Sequence, residues 1–276
     1  MWGLIRRIQR KLLIVWRECT GYRESTSTLG QAANQYWNNF DSPQRATDSH
    51  WRGHGPFADD AIWLKLGRTH YELVQQQLSR LGRPLAPRRV VEWGCGGGMN
   101  AVHFGRGVQH YYGIDLSPQS LTECARQMSA SGLPGFVPVL VHANQPRSAL
   151  AVIGEPCDLF ICTHVIELLP SVEHAFQILQ LAFEMLGPRG MVLAHIRCPA
   201  SAIGGQSRPW DYEANMSHNV IFSIPAFRAA CEAQGFVVLG VQPVAAVPEL
   251  NERNYAFFVL EKPTAAAANG ATLQAA

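Results

Sequence analysis

The stretch RVVEWGCGGGMN at residues 89–100 constrains the fold of this chain more than any other. A short, β-branched apolar run gives way to glycines at 94, 96, 97 and 98, and a helix-like segment begins near Met99. Glycine is required where the backbone takes positive φ or must touch a ligand, because a Cβ would collide there. A glycine loop at the carboxyl end of a strand sits where open α/β sheets bind ligands. The chain should therefore contain a sheet whose strands end on a common ligand-binding edge.

The rest of the sequence is consistent with that sheet. Apolar runs recur at 89–94, 111–117, 136–143, 157–164 and 191–197, with helical segments at 99–106, 118–131 and 171–186 between them and a less regular stretch at 145–153. Strand and helix in alternation specify a parallel sheet covered on both faces. ProArgGly at 188–190 reads as a turn before the fifth strand. Two further strands, GFVVLGV (235–241) and YAFFVLEKP (255–263), follow without a clear intervening helix and read as an antiparallel hairpin on the sheet edge. The expected fold is α/β: a doubly wound, mostly parallel seven-stranded sheet with an antiparallel C-terminal hairpin, plus an N-terminal helical and irregular cap. Residues 1–60 form the cap and 61–263 the main domain, which a helix over 60–81 opens; the Ala-rich stretch 264–276 reads as a disordered tail.

Composition narrows the class. A hydrophobic content of 47% against 16% charged residues supports a sizeable core. The net charge of +2, from 23 basic and 21 acidic residues, gives no strong nucleic-acid signal. Seven cysteines with no CxxC pair read as reduced, mostly buried thiols of a cytoplasmic protein. No run is long enough to span a membrane. Residues 1–17 instead suit an amphipathic helix, with Arg6, Arg7, Arg10, Lys11 and Arg17 opposite Trp2, Leu4, Ile5, Ile8, Leu12, Val15 and Trp16. Such a helix can pack on its own domain, mediate self-association, or hold the protein peripherally on an anionic membrane. Residues 18–60 read as irregular but ordered, because they are rich in aromatics as well as polar residues.

Three details identify the ligand of the glycine loop. Met99 stands where the dinucleotide fingerprint places glycine or alanine. An acid, Glu92, precedes the first glycine by two residues. Asp115 closes the second strand, where a carboxylate can accept hydrogen bonds from both ribose hydroxyls. ExGxGxG followed by that acid resembles the opening motifs of the class I (Rossmann-like) S-adenosylmethionine-dependent methyltransferases. The resemblance covers about residues 88–200 and extends to the strand order and terminal hairpin. It implies S-adenosyl-L-methionine as cofactor. It also implies a loop of Glu92, Gly94, Cys95, Gly96 and Gly98, with Glu92 orienting the loop or the cofactor's amino group. Asp115 would clamp the ribose, Leu116 would pack on the adenine, Asn144 would meet the adenine amino group, and Thr163 would complete the cofactor set.

Acceptor contacts in this family come from the ends of the fourth and fifth strands and from lids. ThrHisValIleGluLeuLeu at 163–169 supplies His164 as a general-base candidate, with Glu167 read as a cap or solvent-facing group. His195, a catalytic candidate, and Arg197, a substrate-binding one, alternate on the fifth strand, which can turn both to the same side. The insertion 199–222 reads as a substrate lid carrying Arg208, Trp210, Tyr212, Asn215 and His218, with His218 a further base candidate. Tyr36, Trp37, His50, Trp51 and Arg52 are candidates for a second lid on analogy with N-terminal caps of this fold. No metal is expected from the spacing of His, Cys, Asp and Glu. The motifs of base-amino, pyrimidine-C5 and protein-arginine methylation are absent at 163–169. The implied activity is methylation of a small molecule, such as a natural product or a sugar, with oxygen favoured over nitrogen. The alternatives are an RNA or protein methyltransferase, or a catalytically silent binding protein of the same fold.

Overall fold

A computed structural model describes residues 2–39, 43–199, 207–244 and 254–264. The seven strands are β1 (Arg89–Trp93), β2 (His110–Asp115), β3 (Phe136–Leu140), β4 (Cys157–Cys162), β5 (Leu186–Arg197), β6 (Val237–Val244) and β7 (Tyr255–Glu261). They form one sheet in the order β3-β2-β1-β4-β5-β7-β6. The first five are parallel, and β7 runs antiparallel between β5 and β6. The expected architecture is therefore the observed one.

Burial on both faces explains the unbroken apolar runs of the central strands. Successive side chains alternate between two cores. Val91, Phe160 and Val192 pack towards the helix α7 (Val172–Met185), with Phe227 of α9 (Ile224–Ala233) in the same core. Val90, Ile161 and Leu193 pack on the other face, where Val74 and Leu78 of α4 (Asp60–Arg80) and Cys124 and Met128 of α6 (Pro118–Ala130) meet them. The helices begin where the sequence provides caps: the Asp59 carboxylate accepts the Ala61 N–H, and the Ser117 and Ser223 hydroxyls accept those of Ser120 and Ala226. Strand order reverses between β1 and β4, so their carboxyl ends diverge and open a crevice.

Several local expectations are corrected. The irregular segment 18–60 is largely helical, with α2 (Thr26–Asn38), α3 (Pro43–Asp48) and a 3-10 turn at Gly55–Ala58. Leu29, Ala33 and Tyr36 form the buried stripe of α2, diluted in the sequence by the Gln, Asn and Thr around it. The helix expected over 99–106 shrinks to α5 (Ala101–Phe104), and 146–151 forms a 3-10 turn. The turn at 188–190 is absorbed into β5 as an irregularity in its pairing with β4, with Arg189 at φ 63°.

The N-terminal helix α1 runs from Trp2 to Thr20, and Leu12, Val15 and Trp16 on it are exposed. Its C-terminal end docks on the lid, where Glu18 pairs with Arg208 at 3.0 Å. No helix among the described residues is long and apolar enough to cross a membrane. The side chains of residues 1–8 and 10, segment 200–206 of the expected lid and the tail 265–276 lie outside the described residues.

Candidate active site

The crevice at the β1–β4 divide holds a cavity of about 940 Å³, its open mouth included. Gly94, Cys95 and Gly96 form one wall, and Asp115 and Leu116 continue it at the end of β2. Thr163 and His164 close it at the end of β4.

The glycine loop is pinned on both sides. Gly96 sits at φ 49°, and a Cβ there would come under 3.0 Å from the Ser49 carbonyl. That carbonyl accepts the Gly97 N–H at 2.8 Å, so the N-terminal cap docks directly on the loop. On the inner side the Asp115 carboxylate accepts the Gly96 N–H and the Ser117 N–H, each at 2.9 Å. Burial raises the Asp115 carboxyl to about 6, while these backbone donors oppose the rise.

Beneath the loop lies a buried polar chain. Glu92, only 3% exposed, accepts the Tyr111 hydroxyl at 2.6 Å and the Asn100 amide at 2.7 Å. The same amide nitrogen donates to the Thr163 hydroxyl at 2.9 Å, and the Asn100 oxygen pairs with His70 Nδ1 at 2.7 Å. Burial raises the Glu92 carboxyl to about 8, against those two hydrogen bonds. Glu92 thus orients Asn100 and ties β1, β2, β4 and α4 together, and it still borders the cavity.

Four histidines converge at the acceptor end. The His164 ring centroid lies 4.3 Å from that of His195, 5.1 Å from His50 and 5.4 Å from His70. Burial makes all four poor bases: His50 and His70 fall to about 4, and His164 and His195 lie well below the usual imidazole range. His164 and His50 border the cavity. His195 is fully buried behind them, stacked between Tyr255 and Phe257 at 4.7 and 4.2 Å. His164 holds φ 56°, a strained value for a residue with a Cβ. The sequence concealed this cluster because its members come from the cap, α4, β4 and β5.

The roof joins cap to lid. Trp37 Nε1 donates to the Tyr212 hydroxyl at 2.8 Å, and that hydroxyl donates to the Leu168 carbonyl at 2.6 Å. Both rings face the cavity.

Other candidates are placed elsewhere. Asn144 is exposed outside the cavity, donates to the Ser27 carbonyl at 3.0 Å and packs on Gly30 of α2, so it is turned from the adenine position expected of it. Gly98 packs against Cys124 behind the loop. Tyr36 spends its hydroxyl on Asp48 with Arg45 over its ring, and Arg52 pairs with Asp60. Arg208 is held by Glu18, Trp210 is buried near Arg17, and the Asn215 amide donates to the Trp210 carbonyl. Arg197 lies over Tyr255, and His218 sits beside Ser217, both away from the cavity. Glu167, expected as a cap or solvent-facing group, is 3% exposed and faces the histidine cluster. Its place on a short 3-10 turn (Ile166–Leu168) turns it inward. Sequence reasoning missed Ser49, His70 and Asn100 as parts of the site; none carries a local motif.

Comparison with known proteins agrees with this geometry. Residues 66–241 match the family model described as "Methyltransferase domain". No curated protein matches the sequence. Among solved structures, the N-methyltransferase NodS of Bradyrhizobium japonicum WM9 in complex with S-adenosyl-L-homocysteine superposes with a TM-score of 0.56 at 13% identity, covering 86% of this chain and 99% of that one. An O-methyltransferase family protein of Burkholderia thailandensis gives 0.54 at 15% identity, over 77% and 62% of the two chains. Magnesium protoporphyrin IX methyltransferase of Synechocystis PCC 6803 gives 0.51 at 16% identity, over 74% and 87%. With the family model spanning more than half its length, the chain belongs to the methyltransferase-domain family and is a class I S-adenosylmethionine-dependent methyltransferase.

Proposed function

We propose that this enzyme transfers a methyl group to a small molecule, with an oxygen nucleophile favoured over nitrogen. The roof is the observation that carries the reading. Trp37, Tyr212 and Leu168 are hydrogen-bonded across the mouth, so a roof of side chains covers part of the crevice instead of leaving it an open groove. A partly covered, mostly apolar pocket with a few convergent polar groups suits a small ligand, whereas a polymer strand needs a continuous open channel.

The residues present fit S-adenosylmethionine. The Asp115 carboxylate faces the cavity and can accept ribose hydroxyls, and Leu116, Val141, Ala143 and Pro146 offer an apolar slot for an adenine ring. At Gly94 and Gly96 a Cβ would collide with Val165 and with the Ser49 carbonyl at the cavity wall, so glycine is what lets the loop lie there. When bound, this cofactor supplies an electrophilic methyl on a sulfonium with a good leaving group. The protein's work is then positioning and exclusion of water. Asp115 and the loop hold the donor end, Glu92 and Asn100 fix Thr163 beneath it, and Trp37 with Tyr212 closes the space. At the acceptor end, the neutral imidazoles of His164 and His50 can accept a hydrogen bond from a hydroxyl and aim its lone pair. As the carbon–oxygen bond forms, the hydroxyl becomes strongly acidic and its proton passes along that hydrogen bond to the imidazole.

A methyl-labelled S-adenosylmethionine assay against small phenols, sugars and amines, in parallel with RNA and peptide pools, tests the reading. Label should enter a small hydroxyl acceptor. Label confined to RNA or peptide overturns it.

A further inference from the structure

Three buried groups behind the cavity have ligand atoms aimed at one another. Among the described residues, one His, Cys, Asp or Glu group has metal-ligand geometry: His164, Glu167 and His195, whose ligand atoms lie within 4.8 Å of one another. They reach that point from the end of β4, the following 3-10 turn and the carboxyl-terminal part of β5. All are buried, at 8%, 3% and 0% exposure.

His195 is the informative member. Neither of its ring nitrogens has a hydrogen-bond partner among the described residues, although the side chain is fully buried. Leaving a buried polar group unsatisfied is costly, and one that persists in a native fold points to a functional role or a bound ion or water. The stacking of its ring between Tyr255 and Phe257 fixes the plane. The edge-on contact with His164 sets the two imidazoles at 64° to each other. Apolar stacking alone would be served as well by another phenylalanine.

From this arrangement we propose that His164, Glu167 and His195 form a binding site for a divalent transition cation of the Zn²⁺ type, with an open coordination position towards the cavity. The donor set selects that class: two imidazoles and one carboxylate suit Zn²⁺, Co²⁺ or Fe²⁺, whereas Mg²⁺ and Ca²⁺ take oxygen ligands. Two His and one Glu are also the ligands of zinc sites that keep a position for water or substrate. Ligation at about 2.0–2.1 Å brings tetrahedral ligand atoms to about 3.3 Å from one another, a closure that rotation of Glu167 on its turn and of His164 can deliver. His164 borders the cavity, so a cation held by it meets whatever occupies the acceptor end.

The site stands on these residues alone. Its role, holding the oxygen of the acceptor, rests on the activity proposed above. A bound cation would use His164 as a ligand and take over from its imidazole the task of orienting that oxygen.

The test uses the full-length protein, stripped with a chelator and titrated with Co²⁺. One equivalent should bind and give the visible d–d bands of a low-coordinate cobalt site. Zn²⁺ should displace it and Mg²⁺ should not. His195→Gln and Glu167→Gln should each weaken Co²⁺ binding by about tenfold or more. Anomalous diffraction from crystals of the Zn²⁺-loaded wild type should place the ion among the three side chains, a readout that needs no variant to fold. Absence of the bands, displacement by Mg²⁺, unchanged affinity in a folded variant, or an anomalous peak elsewhere each overturns the assignment. S-adenosylhomocysteine titration of the same preparations reads the cofactor cavity separately. Cobalt binding without cofactor binding would count against the methyltransferase site and leave the metal site standing; the reverse result would do the opposite.

Discussion

Gly96→Ala separates two costs that the structure places at one residue. The first is conformational. Gly96 holds φ 49°, and a left-handed backbone costs a residue with a Cβ about 1–2 kcal/mol. The second is steric, because the new methyl would come under 3.0 Å from the Ser49 carbonyl. Relieving that collision displaces the carbonyl from the Gly97 N–H it accepts at 2.8 Å, and a lost hydrogen bond removes about 0.5–1.5 kcal/mol. Alanine also reduces the freedom of the unfolded chain, which offsets about 0.4–1 kcal/mol. The expected net loss is about 2 kcal/mol. Gly107→Ala is the control: its φ is 73°, and nothing lies within 4 Å of a Cβ there. It bears the conformational cost without the collision, for a net loss of about 0.5–1 kcal/mol. Urea denaturation of both variants at one pH measures the difference. Titration with S-adenosylhomocysteine should show binding weakened in Gly96→Ala and unchanged in Gly107→Ala, since only the former loosens the cap from the loop. Equal losses of stability in the two variants would refute the docking of Ser49 on the glycine loop.

Three further outcomes follow from the same site. Asp115→Asn keeps the shape but removes the charge; cofactor affinity should fall by about tenfold or more, the scale of one charge-assisted bond, and wild-type affinity should itself weaken as pH drops through about 6 and Asp115 takes up a proton. For Glu92 the folded-state value, about 8, lies above the unfolded one near 4.5, so between these values the folded state binds the extra proton and the Glu92 contribution to stability falls as pH rises. The buried histidines pull the other way near pH 6.5, so the quantity to measure is the difference between wild type and Glu92→Gln, in which their contributions cancel, and it should shrink by up to about 1.4 kcal/mol per pH unit between pH 6.5 and 8. Tyr212→Phe deletes the hydroxyl that joins Trp37 Nε1 to the Leu168 carbonyl, and leaving buried partners unpaired costs about 1–3 kcal/mol; steady-state kinetics should show a raised KM for the acceptor, and an unchanged KM would remove the roof from the proposed mechanism.

What could be read directly from the sequence was whatever is recorded by neighbours along the chain. Strand β1 and its loop were legible because β-branched residues and alternating glycines sit side by side, and Asp115 because it closes the next strand in a fixed role. Helix α2 was not, since its stripe of Leu29, Ala33 and Tyr36 is diluted by polar residues whose helical preference is weak. The same distinction divides the site. Asp115 bonds the loop nineteen residues before it, a spacing that the strand–helix–strand unit repeats. Ser49, by contrast, reaches Gly97 from the cap, and no local pattern encodes that contact. The lid shows why residue type alone misleads: Arg208, Trp210 and Asn215 have the chemistry of ligand contacts but spend it on Glu18, the core and their own backbone. Among the described residues of that loop only Tyr212, with its hydroxyl between Trp37 and Leu168, faces the cavity. His195 makes the opposite case. Its strand marks it as an acceptor-side candidate alternating with Arg197, but only the β4–β5 register, which brings His164 and Glu167 beside it, shows what it faces. Pairing across the sheet, which the sequence specifies only through the whole fold, is therefore what brings three separately read residues into one cluster.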